Sequence, residues 1–136
     1  MLRFGRDVRF GATAVETRDV RQLVEDPARP GFERAWKITL GNLERLFALA
    51  RERDVPALLV VFPYAFQLEE GAAAAGPQRR LAAFAREHGI EALDLLPLFA
   101  EGAPLFLDAS HLSEAGHARA AEAIAPRLLR WLEPTS

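Results

Sequence analysis

The stretch Val55–Pro63 reads VPALLVVFP, and how it is read decides the fold. From Ala57 to Phe62 every residue is apolar, with no alternation between faces. A half-buried strand alternates apolar and polar residues, and an amphipathic helix repeats its apolar residues every three or four. A short β-rich run that is apolar throughout suits a strand covered on both faces, as in a parallel sheet. The run therefore reads as a central strand.

Upstream, Trp36, Leu40, Leu43, Phe47 and Ala50 recur at helical spacing and predict a helix over about 33–53. Downstream, GAAAAGP at 71–77 predicts a loop or irregular turn, followed by a helix over 78–88. Leu81, Phe84, Ala85 and His88 lie on one side of that helix, and Gly89 stands at its C-terminal stop. Ile90–Phe99, IEALDLLPLF, supplies a second strand at about 91–96. A last helix over 114–132 has Ala121, Ile124, Leu128 and Trp131 spaced for burial. Helix, strand, helix, strand, loop, helix is the order of an α/β layered fold with parallel strands.

Residues 1–31 are less patterned. Val8, Phe10, Ala12 and Ala14 alternate as a short strand would, TRDVRQLVED suggests one or two helical turns behind Thr17, and PARPG suggests a turn. The strand count leaves a gap, since open sheets usually hold about four to six strands. Something besides the 91–96 strand is expected to pair with 57–62: the N-terminal segment, a preceding segment of a longer domain, or another copy of the chain.

Composition narrows the function classes. The 136 residues carry a net charge of −2, with scattered arginines and Lys37 as the one lysine, which offers no electrostatic case for nucleic acid or an anionic membrane. Absence of cysteine excludes disulfides, thiolate metal sites and Cys nucleophiles. No stretch approaches the roughly 20 apolar residues of a membrane span. The first residues lack the apolar core of a secretory signal, so the sequence as written reads as cytoplasmic, although a parent protein with a further segment could be exported.

Chemistry concentrates in FLDASHLSEAGHARAAEAIA, Phe106–Ala125. Ser113 followed by Glu114 makes a helix start, a hydroxyl N-cap with an acidic first turn. Asp108 and His111 then fall on the loop feeding that helix. At this spacing a carboxylate can hold the imidazole Nδ1–H and leave Nε2 outward as a general base, the support a hydroxyl nucleophile needs. The same Asp also fits an Asx turn with no catalytic role. His117, one turn into the helix, and His88, near a helix C-terminus, read as structural or surface residues. In PYAFQLEEG after the first strand, Tyr64, Phe66 and Gln67 sit where ligands bind in parallel sheets, as substrate contacts or as packing.

The stretch LFLDASHLSEAGHARAAEAIAPRL resembles the C-terminal block of the SGNH, or GDSL, hydrolases, and the order of elements over 32–132 is similar to that family's. The resemblance implies the C-terminal part of a single flavodoxin-like three-layer α/β/α domain and a serine esterase or acyl-hydrolase, with Asp108 orienting His111 and no metal or organic cofactor. An ester is the implied substrate. The sequence departs from the family in its nucleophile and oxyanion blocks. Its serines are Ser110, Ser113 and Ser136, and its one asparagine, Asn42, lies in the long helix outside any Gly-x-Asn motif. The expectation is thus the Asp–His half of a Ser-His-Asp site, truncated and inactive alone. Alternatives are an O-acyltransferase using the same pair, or a non-catalytic interaction module whose sheet is completed by a partner chain or a homodimer.

Overall fold

The structure is a computed structural model, and it describes residues 18, 21–24, 29–70, 74–100 and 103–132. The strand expected at 8–14 lies outside the described residues. Residues 18 and 21–24 are helical, as TRDVRQLVED suggested.

The long helix α1, Pro30–Glu52, begins earlier than its apolar spacing indicated. Pro30 occupies the first turn, where a missing N–H costs nothing and the fixed φ is already helical, so Pro30 and Gly31 belong to the helix instead of a turn before it. Trp36 and Phe47 are buried, and Leu40, Leu43 and Ala50 are half-buried on the same side. The helix stops in a Schellman arrangement: Asp54 N–H donates to Arg51 O at 3.1 Å and Val55 N–H to Ala50 O at 2.9 Å. The left-handed position is Asp54, at φ 52°.

Strand β1, Leu58–Val61, follows, then the short helix α2, Ala65–Glu70, and helix α3, Gly76–Glu87. Helix α3 starts two residues before the expected 78, again with proline in its first turn. It ends as the sequence indicated, with Gly89 at φ 64° and Ile90 N–H donating to Ala85 O at 2.8 Å. Strand β2, Glu91–Asp94, is shorter than 91–96. Asp94 Oδ1 accepts the Leu96 N–H at 2.9 Å and turns the chain into a 3₁₀ helix, Leu96–Phe99. A second 3₁₀ turn, Ala103–Leu105, precedes the last helix, α4, Glu114–Leu129.

β1 and β2 pair in parallel, Leu58 opposite Glu91 through Val61 opposite Asp94. Helix α3 packs on both strands. Leu58, Val60 and Leu93 join Leu95, Phe99, Leu105, Phe106, Leu112 and Ala120 in one apolar cluster, together with Ala123 and Ile124 of α4. Glu91 anchors the far end of α4, accepting from Arg127 at 2.8 Å and Arg130 at 2.7 Å. Helices α1 and α3 run in the same direction. Arg80 makes two bonds to Glu33 (2.6 and 3.0 Å) near their starts, and His88 Nδ1 lies 3.9 Å from Glu44 near the end of α3.

Two readings of the sequence need correction. The buried side of α4 is Gly116 and Ala120, with Ala123 and Ile124, and Trp131 just past the helix, half-buried as spaced, whereas Ala121 and Leu128 are exposed. The helix rests on its small residues because it approaches the 3₁₀ turns closely. All four β1 residues are only half-buried, and among the described residues β1 has one strand neighbour, so it is not flanked on both edges there. The described chain is thus mixed α/β, mostly helical, around a two-stranded parallel sheet.

Candidate functional site

Asp108 and His111 lie on a tight loop closed at its base by the antiparallel bridge between Phe106 and Leu112. Leu107 N–H donates to His111 O at 2.8 Å, and Ser113 N–H to Leu105 O at 2.9 Å. Ser113 is the α4 N-cap, its Oγ accepting the Gly116 N–H at 3.1 Å. The same hydroxyl donates to Pro104 O at 2.7 Å, which ties the cap to the preceding turn. The loop also touches the strand side of the molecule, where Ala65 N–H donates to Ala109 O at 3.0 Å. That bond sets the pair against the first turn of α2, just past the C-terminal end of β1.

Within the loop the Asp108 carboxylate divides its work. Oδ1 accepts the backbone N–H groups of Ser110 (2.9 Å) and His111 (2.8 Å), an Asx turn. Oδ2 lies 2.8 Å from His111 Nδ1, with Oδ1 at 3.0 Å. Burial pushes the Asp108 carboxyl up, but the two backbone N–H donors and the His111 ring outweigh it and hold the carboxyl below its usual value. As a carboxylate it only accepts, so Nδ1 carries a proton, and in the neutral ring the lone pair is left on Nε2. The Asp108 side chain is 18% exposed and that of His111 67%, so the carboxylate is shielded and the imidazole faces solvent. Ser110 Oγ stands 3.5 Å from Nδ1, the nitrogen already taken by Asp108, and is therefore on the wrong side of the ring to be activated by Nε2.

The first turn of α2 lies beside this pair, but the side chains of Tyr64, Phe66 and Gln67 make their hydrogen bonds and ring contacts elsewhere. Tyr64 is half-buried beside Phe66, with ring centroids 5.9 Å apart. Phe66 is buried in packing. Gln67 is 1% exposed and spends its amide inside the protein. Its Oε1 accepts the Tyr64 N–H at 2.9 Å, and its Nε2 donates to Ala74 O at 2.8 Å and Gln78 Oε1 at 2.9 Å. His117 is exposed on α4. His88 stacks on Phe84 with centroids 4.4 Å apart, at the end of α3. Two surface grooves lie elsewhere, one of about 420 Å³ between Pro97–Ala100 and α4, the other of about 720 Å³ between α1 and α3. Neither is lined by Asp108 or His111.

Three features of the site escaped the sequence reading: the Ala65–Ala109 tie, the Gln67–Gln78 amide pair, and the close approach of Gly116 to Leu105. A signal existed for the inward turn of Gln67, though not for Gln78 as its partner. Gln67 is the third helical residue after Tyr64, where a Gln side chain reaches back to the N-cap N–H in half of a capping box. Among the described residues, no group of three His, Asp or Glu side chains is arranged to hold a metal ion, and no helix is long and apolar enough to cross a membrane. No protein-family model, curated protein or solved structure matches the chain.

Proposed function

We propose that Asp108 and His111 are the orienter and general base of an ester-hydrolysing site of the SGNH type, whose hydroxyl nucleophile and oxyanion donors come from a segment other than these 136 residues. One observation carries the reading: a shielded carboxylate pins Nδ1 of a solvent-facing imidazole, on a loop hydrogen-bonded to the turn that follows β1. In the proposed reaction Nε2 removes the proton from a hydroxyl as it attacks an ester carbonyl, then returns it to the departing alcohol. Water, deprotonated by the same nitrogen, then attacks the acyl carbon, and the proton passes to the nucleophile's oxygen as its bond to the acyl group breaks and the acid leaves. Asp108 stabilises the imidazolium formed in each half. A flavodoxin-like three-layer sheet, extended beyond β1, belongs to the same proposal and is supported by the parallel β1–β2 pair with α3 packed across it. An acyltransferase differs only in the acceptor that replaces water.

The test is a gain of function. Joined to a strand–Gly-Asp-Ser–helix segment, the chain should hydrolyse p-nitrophenyl acetate, and the activity should vanish in His111→Ala. Without that segment, turnover should be negligible and no different in His111→Ala. A robust His111-dependent rate in the isolated chain, with a fluorophosphonate label on Ser110, would refute the assignment of the nucleophile.

A second reading, an interaction module completed by another chain, is favoured by the outer edge of β1, which has no strand partner among the described residues. A monodisperse dimer with the β1 amides protected from exchange would support it. A monomer with those amides unprotected would count against it.

A further inference from the structure

We infer that the buried Gln67–Gln78 amide pair is a positioning element for the His111 loop; this rests on the reading of Asp108 and His111 as an acid–base pair. Gln67 and Gln78 are 1% and 4% exposed. Burying two primary amides is costly unless every donor and acceptor is met, and an apolar pair of similar volume would fill the same space without that demand. Here the demand is met in full for Gln67. Its Oε1 accepts from Tyr64 N–H and from Gln78 Nε2 at 3.0 Å, while Nε2 donates to Ala74 O and Gln78 Oε1. An amide has two donor and two acceptor places, and all four are used.

One of those four bonds closes the start of α2, and the other three tie Gln67 to Ala74 and to Gln78 of α3. A six-residue helix is marginal by itself, and its first N–H groups lack intrahelical partners. The Gln67 side chain takes the Tyr64 N–H, while Gln67 N–H donates to Tyr64 O at 3.0 Å, so the first turn closes from both sides. The next N–H along, that of Ala65, donates to Ala109 O, the carbonyl between Asp108 and Ser110. The His111 loop therefore supplies one cap of α2, and Gln67 supplies another. Gln78 braces Gln67 from α3, which packs on both strands. The path from the sheet-backed helix α3 to the imidazole runs Gln78, Gln67, the Tyr64–Ala65 turn, Ala109, Asp108, His111. Gln67 touches no reacting atom. Its part is to hold the Ala65 N–H on line with the His111 loop.

The experiment uses the full 136-residue chain and needs no substrate, so it does not depend on ester hydrolysis succeeding. Hydrogen exchange of the Ala65 amide and the ¹⁵N spectrum of the His111 ring are read in native protein, Gln67→Met and Gln78→Met, with circular dichroism to verify the fold. In Gln67→Met the Ala65 amide should exchange about tenfold faster, the order expected for losing one hydrogen bond. The His111 ring should move from the Nδ1–H form toward a mixture of tautomers. Gln78→Met removes two of Gln67's four bonds and should shift both readings the same way by a smaller factor. Native-like Ala65 exchange and a native His111 spectrum in a folded Gln67→Met overturn the proposal. Should Gln67→Met not fold, the same native readings in Gln78→Met overturn it instead.

Discussion

Replacing Gly116 by Ala separates two expectations of opposite sign. In an exposed helix interior the change stabilises by about 1 kcal/mol, because Ala is the better helix former. At Gly116 an added Cβ would collide with Leu105 O and stand 3.1 Å from Leu112 Cβ. The first contact is with backbone, so relief requires α4 or the 103–105 turn to retreat by about 1 Å or more, an overpacking cost of roughly 1–3 kcal/mol. Leu105 O also accepts the Ser113 N–H, and the neighbouring Pro104 O accepts the Ser113 hydroxyl. Displacement weakens both bonds, at about 1 kcal/mol each. Set against the propensity gain, the net expectation is a loss of about 2–4 kcal/mol.

Urea unfolding followed by far-ultraviolet circular dichroism measures this directly, and the thermal midpoint should fall by roughly 10 °C for a chain of this size. Gly41 is the control. It lies in α1 with nothing within 4 Å of the position a methyl group would take, so Gly41→Ala should gain up to about 1 kcal/mol. If Gly116→Ala instead matches Gly41→Ala in sign, the tight seating of α4 on Leu105 is wrong, and with it the account of how the His111 loop is anchored.

Asp108→Asn keeps an Oδ1 for the Ser110 and His111 amides but turns a donor toward Nδ1; the variant should stay folded while the ¹⁵N spectrum of His111 reports the Nε2–H tautomer. The Asp108 carboxyl is held below its ordinary value of 3.8, so its contribution is complete above that pH and is lost as pH falls through the lower folded value. The stability gap between native protein and Asp108→Asn should accordingly shrink in acid titrations below about pH 4. Asp54→Gly, at φ 52°, should raise stability by about 0.5–1 kcal/mol, whereas Gly89→Ala, at φ 64°, should lower it by about 1 kcal/mol; equal signs in urea melts would contradict the two left-handed helix ends.

Helix existence was legible because α1 and α3 each carry apolar residues at regular spacing and Gly89 marks where α3 ends; their starts were not, because the prolines that open both helices also suit turns. The face of α4 was legible only in part: Ile124 and Trp131 are half-buried, but Ala121 and Leu128 are exposed, and the closest seating falls to Gly116 and Ala120. Its sequence offers larger apolar residues at Ile124, Leu128 and Trp131, and hydrophobic spacing weighs size, but the contact there selects for closeness. Gly116 and Ala120 let the helix backbone reach the 103–105 turn, and that preference shows only once the turn is in place. Gln67 was legible only in part, for a related reason. A polar residue just past the C-terminal end of a parallel strand suggests ligand contact, but its partner Gln78 is eleven residues away on another helix. Nothing local in the sequence indicates that the two amides satisfy each other.

Asp108 carries the ambiguity of the site in one side chain. An Asx turn needs an oxygen accepting backbone N–H groups two and three residues on, and an orienter needs an oxygen facing the ring of that third residue. Asp-x-x-His spacing serves both, so pattern alone could not separate a helix-entry loop from an acid–base pair. In the folded chain that separation is unnecessary: Oδ1 builds the turn and Oδ2 binds the imidazole. Each use supports the other. The turn fixes the carboxylate without relying on the ring, so Oδ2 is already aimed before the imidazole needs a partner, and the two backbone N–H groups keep the carboxylate ionised. An orienter locked by its own loop is the prearranged half of a general-base site, which is why this loop, more than the fold around it, carries the functional proposal.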